Sequence, residues 1–120
     1  MSLSVAMITV DTTDPVPLAT WWAAQTDGSV VAENDGFFVV VTMASGTVLS
    51  FQKVDDPTPG KNRIHLDLTA DDPTAEVERL VRAGATVVAE RQMAGFAWVT
   101  MADPDGNEFC VSGAHEAAGN

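Results

Sequence analysis

Val30-Val31-Ala32-Glu33 returns 57 residues later as Val87-Val88-Ala89-Glu90. Outward from this pair, Asp14-Pro15 returns as Asp72-Pro73 at an offset of 58, Gly36-Phe37 as Gly95-Phe96 at 59, and Gly46 as Gly106 at 60. The four matches keep their order, and the offset drifts only as loop insertions would make it drift. They mark an internal duplication, which decides the fold before any single element does.

Each copy has the same physical pattern. An alternating segment opens it, Val5-Ala6-Met7-Ile8-Thr9-Val10 in the first and Arg63-Ile64-His65-Leu66-Asp67-Leu68 in the second, and a period of two predicts a half-buried strand. Asp14 and Asp72 then stand as N-caps, with Pro15 and Pro73 at the first helical position, where a missing N–H costs nothing. Leu18, Trp21, Trp22 and Gln25 give one helix an apolar face, and Val77, Leu80 and Val81 give the other, which stops at Gly84. Three strand-like runs follow each helix, 29–33, 37–43 and 47–53 in the first copy and 86–91, 96–101 and 107–112 in the second. Asn34-Asp35-Gly36, Ala44-Ser45-Gly46 and Asp103-Pro104-Asp105-Gly106 supply turns between them. The expectation is an α+β fold of two tandem βαβββ modules, 3–54 and 62–112, with a linker at 55–61 and a polar tail at 113–120.

A chain of 120 residues suits one domain, 1–120, with a single core. With 46% apolar and 19% charged residues, and no apolar run near the roughly 20 residues a membrane span needs, it reads as globular and unassociated with membrane. Its first residues lack the features of a signal peptide, and its one cysteine, Cys110, cannot form an internal disulfide; both point to the cytoplasm. A net charge of −11 repels nucleic acid. The same charge would steer a cationic ligand, though a surface charged for solubility explains it equally simply.

The opening of the second copy, Lys61-Asn62-Arg63-Ile64-His65-Leu66-Asp67-Leu68, and its close, Asp103-Pro104-Asp105-Gly106-Asn107-Glu108-Phe109-Cys110-Val111, carry a family resemblance together with Leu49-Ser50-Phe51-Gln52. Over residues 3–112 the chain resembles the glyoxalase/bleomycin resistance/dioxygenase, or vicinal oxygen chelate, superfamily, and within it the small glyoxalase-like domain proteins. The resemblance implies cupped, mainly antiparallel sheets, a homodimer, and ligand positions in the middle of the first and last strand of each module. Aligning the two copies puts Met7, Ser50, His65 and Cys110 at those positions. The carboxylates of a hard-metal site are missing, so no cofactor is expected. A divalent metal held by His65, Glu108 and Gln52 is the alternative.

His65 shares a strand face with Asp67 and Thr69, which makes His65 and Asp67 the candidate catalytic pair, an imidazole for acid–base work oriented by a carboxylate. The competing reading is a hydrogen-bonded histidine left from an ancestral metal site. Gln52, Ser50, Met7, Trp98, Glu108 and Cys110 are candidate ligand contacts. Cys110 lies between Phe109 and Val111 with no basic cluster beside it in sequence, the setting of an inert buried thiol. Trp21 and Trp22 fit packing, whereas Trp98, Met101, Phe37 and Met43 suit either core or an apolar pocket. Lys53, Lys61 and Arg63 gather near the linker, to bind an anion or to pair with Asp55 and Asp56.

These features point to a small-molecule-binding glyoxalase-like protein, extending to a metal-independent lyase, with His65, Asp67 and Gln52 as polar contacts. Two alternatives stand beside it: a metal-dependent glyoxalase-like lyase or isomerase, and sequestration of a cationic antibiotic in the manner of bleomycin resistance.

Overall fold

Pro15 and Pro73 each open a helix, as the two Asp-Pro pairs predict: α1 spans Pro15–Gln25 and α2 Pro73–Arg82. The caps differ. Asp72 accepts a hydrogen bond from the N–H of Ala75 at 3.2 Å, while the Asp14 side chain makes no cap bond. An N-cap oxygen needs the N–H of the second or third helical residue, and the third residue of α1 is Pro17, which has none. At its far end α2 closes in a Schellman turn, with Gly84 at φ 113° and Ala85 N–H bonded to the Leu80 carbonyl at 3.0 Å.

The computed structural model describes residues 2–113, and the chain divides at Pro59 and Gly60 into two compact units. The strands are β1 (Ile8–Thr12), β2 (Ser29–Ala32), β3 (Phe38–Thr42) and β4 (Val48–Lys53) in the first unit. In the second they are β5 (Leu66–Thr69), β6 (Thr86–Met93), β7 (Phe96–Ala102) and β8 (Glu108–Ser112). Each unit forms one four-stranded mixed sheet, ordered β1-β4-β3-β2 and β5-β8-β7-β6. The first and last strands of a unit run parallel, and the remaining pairs are antiparallel. The fold is therefore the expected α+β duplication of βαβββ modules.

The recurring tetrapeptide acquires a structural meaning here. The register of β2 on β3 shifts between Val30 and Ala32, and that of β6 on β7 shifts between Val87 and Ala89. Each copy thus carries a β-bulge in its Val-Val-Ala stretch, and one extra residue reverses which face the following side chains take.

One face of each sheet packs on its own helix. In the first unit Leu49, Phe51, Val39 and Val41 are buried with Leu18, Ala19, Trp22 and Ala23 of α1. Burying a Leu- or Phe-sized side chain stabilises by about 1.5–3 kcal/mol, so this stripe is the principal source of the unit's cohesion. Gln25, assigned to the stripe from spacing, is only half-buried, and Trp21 sits at its border with its ring edge-on to Trp22 at 5.1 Å. In the second unit Phe109, Val111 and Met101 are buried with Leu80, while Val81 of α2 remains exposed.

Most strand ends shift by a residue or two from the sequence expectation, and both opening strands start later than expected. β1 begins at Ile8 rather than Val5, which is 81% exposed, and β5 begins at Leu66, so His65 precedes its strand. Each opening strand is held by its parallel partner alone, and the ladders start at Ile8↔Leu49 and Leu66↔Phe109. Alternation upstream of those pairs has no backbone partner to make it a strand. The predicted polar tail, apart from Gly113, lies outside the described residues. Among the described residues no helix is long and apolar enough to cross a membrane.

Candidate functional site

The other face of the second sheet is a grid of side chains fixed by strand register. Asp67, Cys110, Thr100 and Ala89 form one cross-strand row, and Thr69, Ser112, Trp98 and Arg91 form the next. His65 lies two residues before Asp67 and so joins the same side. Together Lys61, His65, Asp67, Arg91, Phe96, Trp98, Thr100, Glu108, Cys110 and Ser112 line a pocket of about 410 Å³ within this unit. That volume lies in the range that encloses small molecules.

Three potential ligand atoms converge there. His65 Nδ1 is 3.2 Å from Asp67 Oδ1 and 4.0 Å from Cys110 Sγ, and the three groups lie within 4.8 Å of one another. Both His65 and Asp67 are open to solvent, whereas Cys110 is buried. Cys110 Sγ is also 3.6 Å from Thr100 Oγ1, which accepts a hydrogen bond from Arg91 Nε at 3.1 Å.

The segment ahead of β5 is held by a side chain in place of strand pairing. The Asn62 amide receives the Glu108 N–H at 2.8 Å and donates to the carbonyls of Glu108 at 3.0 Å and Ile64 at 2.8 Å. Asn62 thereby ties the chain beside His65 to β8. Lys61 extends over the same strand end, its Nζ 3.7 Å from Glu108 Oε1, rather than pairing with Asp55 or Asp56.

Met7, Ser50 and Gln52 belong to the first unit and do not line this pocket. Ser50 is fully buried, 2.6 Å from Thr9 Oγ1, and donates to Met7 Sδ at 3.3 Å. Gln52 stands on the exposed end of β4, opposite Asp11 and Phe38. Within the second unit the side chains that converge are His65, Asp67 and Cys110. Trp98 faces the pocket, Met101 and Met43 are core, and Phe37 is exposed beneath Lys53, whose Nζ is 5.3 Å from the ring centroid.

Sequence reasoning did not single out Arg91, Phe96, Thr100 or Ser112. Their signal was departure between the copies. In register Thr100 occupies the place of Val40 and Trp98 that of Phe38, so a polar residue stands where the first module is apolar. Six positions separate Ala32 from Phe38, but nine separate Ala89 from Trp98. The three added residues lengthen the β6–β7 hairpin, which carries Arg91 and Phe96.

Residues 7–112 match the glyoxalase-like domain family. The chain belongs to that family. Among solved structures this glyoxalase-like domain is similar to a glyoxalase/bleomycin resistance protein/dioxygenase family enzyme from Burkholderia phytofirmans PsJN (TM-score 0.76, 15% identity, covering 90% of this chain and 96% of that one). A glyoxalase-related enzyme from Fulvimarina pelagi gives a TM-score of 0.73 at 22% identity, with 92% and 88% covered. A mutant of the fosfomycin resistance protein FosX from Listeria monocytogenes, complexed with Mn(II) and 1S,2S-dihydroxypropylphosphonic acid, gives 0.79 at 16% identity, with 97% and 94% covered. At these identities the likeness is one of fold. No curated protein matches the chain in sequence.

Proposed function

We propose that this glyoxalase-like domain is a small-molecule-binding protein whose pocket lies on the open sheet face of the second module, with His65 as a proton acceptor for metal-independent lyase or isomerase chemistry. The observation that carries the reading is the His65–Asp67 pair, 3.2 Å apart, in the wall of a 410 Å³ pocket floored by Trp98. With its proton on Nδ1, 3.2 Å from the Asp67 carboxylate, the imidazole would present Nε2 as an acceptor toward ligand. A substrate C–H or O–H proton taken by Nε2 would leave an imidazolium that Asp67 stabilises, the usual logic of an oriented general base. Thr100 and Ser112 supply hydroxyls to fix orientation, and the indole of Trp98 supplies apolar contact.

A protein-observed NMR screen of natively purified protein tests this reading, with the Trp98 indole and His65 ring resonances as reporters. Hits that shift both, and that weaken in His65→Gln, support it. A screen in which bound compounds leave both signals unmoved rejects it.

One observation favours a second, metal-dependent reading: the convergence of His65, Asp67 and Cys110. An imidazole, a carboxylate and a thiolate form a borderline-soft donor set that suits zinc and serves magnesium or manganese poorly. Tetrahedral zinc ligands stand about 3.5 Å apart given bond lengths near 2.0–2.3 Å; the separations from His65 Nδ1 are 3.2 and 4.0 Å and the three groups lie within 4.8 Å, so they would draw together on an ion. His65, Asp67 and Cys110 would hold the ion and leave a fourth position open. Bound there, the ion would supply Lewis acidity to neighbouring oxygens of a ligand. Elemental analysis after native purification decides: stoichiometric zinc that Cys110→Ser abolishes supports this reading, and metal-free protein that gains no stability from added zinc removes it. As the family resemblance suggests, the functional form is proposed to be a homodimer, checked by sedimentation at micromolar concentration.

A further inference from the structure

The charges of the pocket are unevenly paired. Glu108 has Lys61 at 3.7 Å and Asp67 has His65 at 3.2 Å, so each acid of the lining has a basic neighbour. Arg91 has no carboxylate partner among the described residues. Its Nε is spent on Thr100 Oγ1 at 3.1 Å, and Thr100 is buried, so one edge of the guanidinium is fixed and the remaining N–H groups are uncommitted. Arg91 is itself solvent-exposed, and the tether is what holds one edge of it over the pocket. Here the tether is a threonine at the place where the first module has Val40, and Arg91 itself lies on the hairpin extension that the first module lacks.

The surroundings suit an elongated ligand. Arg91 pairs in register with Trp98, and the Phe96 and Trp98 rings lie 6.0 Å apart, inclined by 30°, on the same strand. Asp67 is two strands from Thr100 across the row, roughly 10 Å at the usual spacing of about 4.8 Å per strand. The pocket therefore has a cationic end at Arg91, an aromatic floor and a charge-paired end at His65 and Asp67.

On the reading that this pocket is the ligand site, we infer that it selects a small molecule with a flat apolar body and a terminal oxyanion, carboxylate or phosphonate. Arg91 receives the oxyanion through its free N–H groups, a geometry matched to such oxygens. Trp98 and Phe96 take the body, and the far end reaches His65 and Asp67. The overall charge of −11 would favour a cation by long-range steering, and the local arrangement opposes that choice.

The test is a titration of the full chain with benzoate, phenylphosphonate, benzamide and benzylammonium, read on the Trp98 indole N–H and assigned with Trp98→Phe. The anions are expected to bind at least tenfold more tightly than benzamide. Arg91→Gln is expected to remove that preference, bringing anion and benzamide affinities together, and Arg91→Lys to retain part of it. Binding by one anion alone supports the inference and names the oxyanion. Benzamide or benzylammonium binding as tightly as the anions, or a preference that survives in Arg91→Gln, overturns the inference and leaves the pocket assignment standing. Failure of every probe to move either Trp98 or His65 overturns both.

Discussion

The two modules present equivalent inner-face positions with opposite chemistry. Met7, Thr9 and Ser50 in the first are close enough to bond one another, with Ser50 at their centre fully buried. His65, Asp67 and Cys110 in the second converge in the same pattern, but as an imidazole, a carboxylate and a thiol beside a pocket. The outer faces differ in the reverse sense. Module one buries Leu18, Trp22 and two alanines from its helix, while α2 buries Leu80 and leaves Val81 exposed. One copy buries more of its helix, and the other gathers titratable side chains beside a pocket, so the duplicated halves divide packing and polar groups between them.

The largest expected effects test whether the outer faces are equivalent at all. Leu49 and Phe51 of β4 correspond to Phe109 and Val111 of β8, with the large residue moved by one pair position, and all four are buried. Phe51→Ala and Phe109→Ala should each cost about 3–5 kcal/mol by denaturant unfolding. A cost below about 1 kcal/mol for Phe109→Ala would mean that the second sheet does not rely on its helix-facing core. Next comes the turn before each last strand. Both turns close through the same pair of backbone bonds, but buried Asp103 also accepts at its side chain from the N–H groups of Asp105 and Asn107, each at 2.9 Å, which Met43 cannot do. Asp103→Ala should cost about 2–3 kcal/mol, because hydrogen bonds to a charged acceptor are lost together.

Exchanging the inner faces sharpens the comparison further. His65→Met, Asp67→Thr and Cys110→Ser together give module two the triplet that module one already accommodates. The variant should remain folded, with a stability change of about 1 kcal/mol or less. Its affinity for zinc, or for any ligand found in the NMR screen, should fall at least tenfold by calorimetric titration. Unchanged affinity would place binding outside these three residues.

The repeat, both helix starts and the pairing of Met7 with His65 and of Ser50 with Cys110 were legible because each depends on local spacing. Arg91 was not. In a strict alternation Val87, Ala89 and Arg91 would share one face, but the bulge pairs Val87 with core residue Met101 and Ala89 with Thr100, turning Arg91 toward the pocket. The surroundings of Gln52 were not legible for a related reason. Its neighbours on the sheet are Asp11 and Phe38 of its own module, a fact set by strand order rather than by spacing. His65 was correctly assigned a face, yet what holds it is the Asn62 amide bridging to Glu108, 46 residues away, which no periodicity expresses.

The smallest expected effect isolates one atom of difference between the modules. Both helices begin Asp-Pro, but Ala75 N–H reaches the Asp72 carboxylate and the equivalent position in α1 is Pro17. Asp72→Ala should therefore cost about 1 kcal/mol, while Asp14→Ala should cost no more than a few tenths. Pro17→Ala supplies the missing N–H, and Asp14→Ala measured in that background should then approach the cost seen for Asp72→Ala. Because a proline replacement also changes the entropy of the unfolded chain, the comparison has to be a double-mutant cycle, in which that term cancels. A coupling energy of about 0.5–1 kcal/mol between positions 14 and 17 assigns the asymmetry to the proline nitrogen. A coupling near zero would assign it to the backbone at Asp14, whose φ of −143° and ψ of 85° are close to the −128° and 87° of Asp72. That near-identity of backbone is why the cycle is expected to find the coupling.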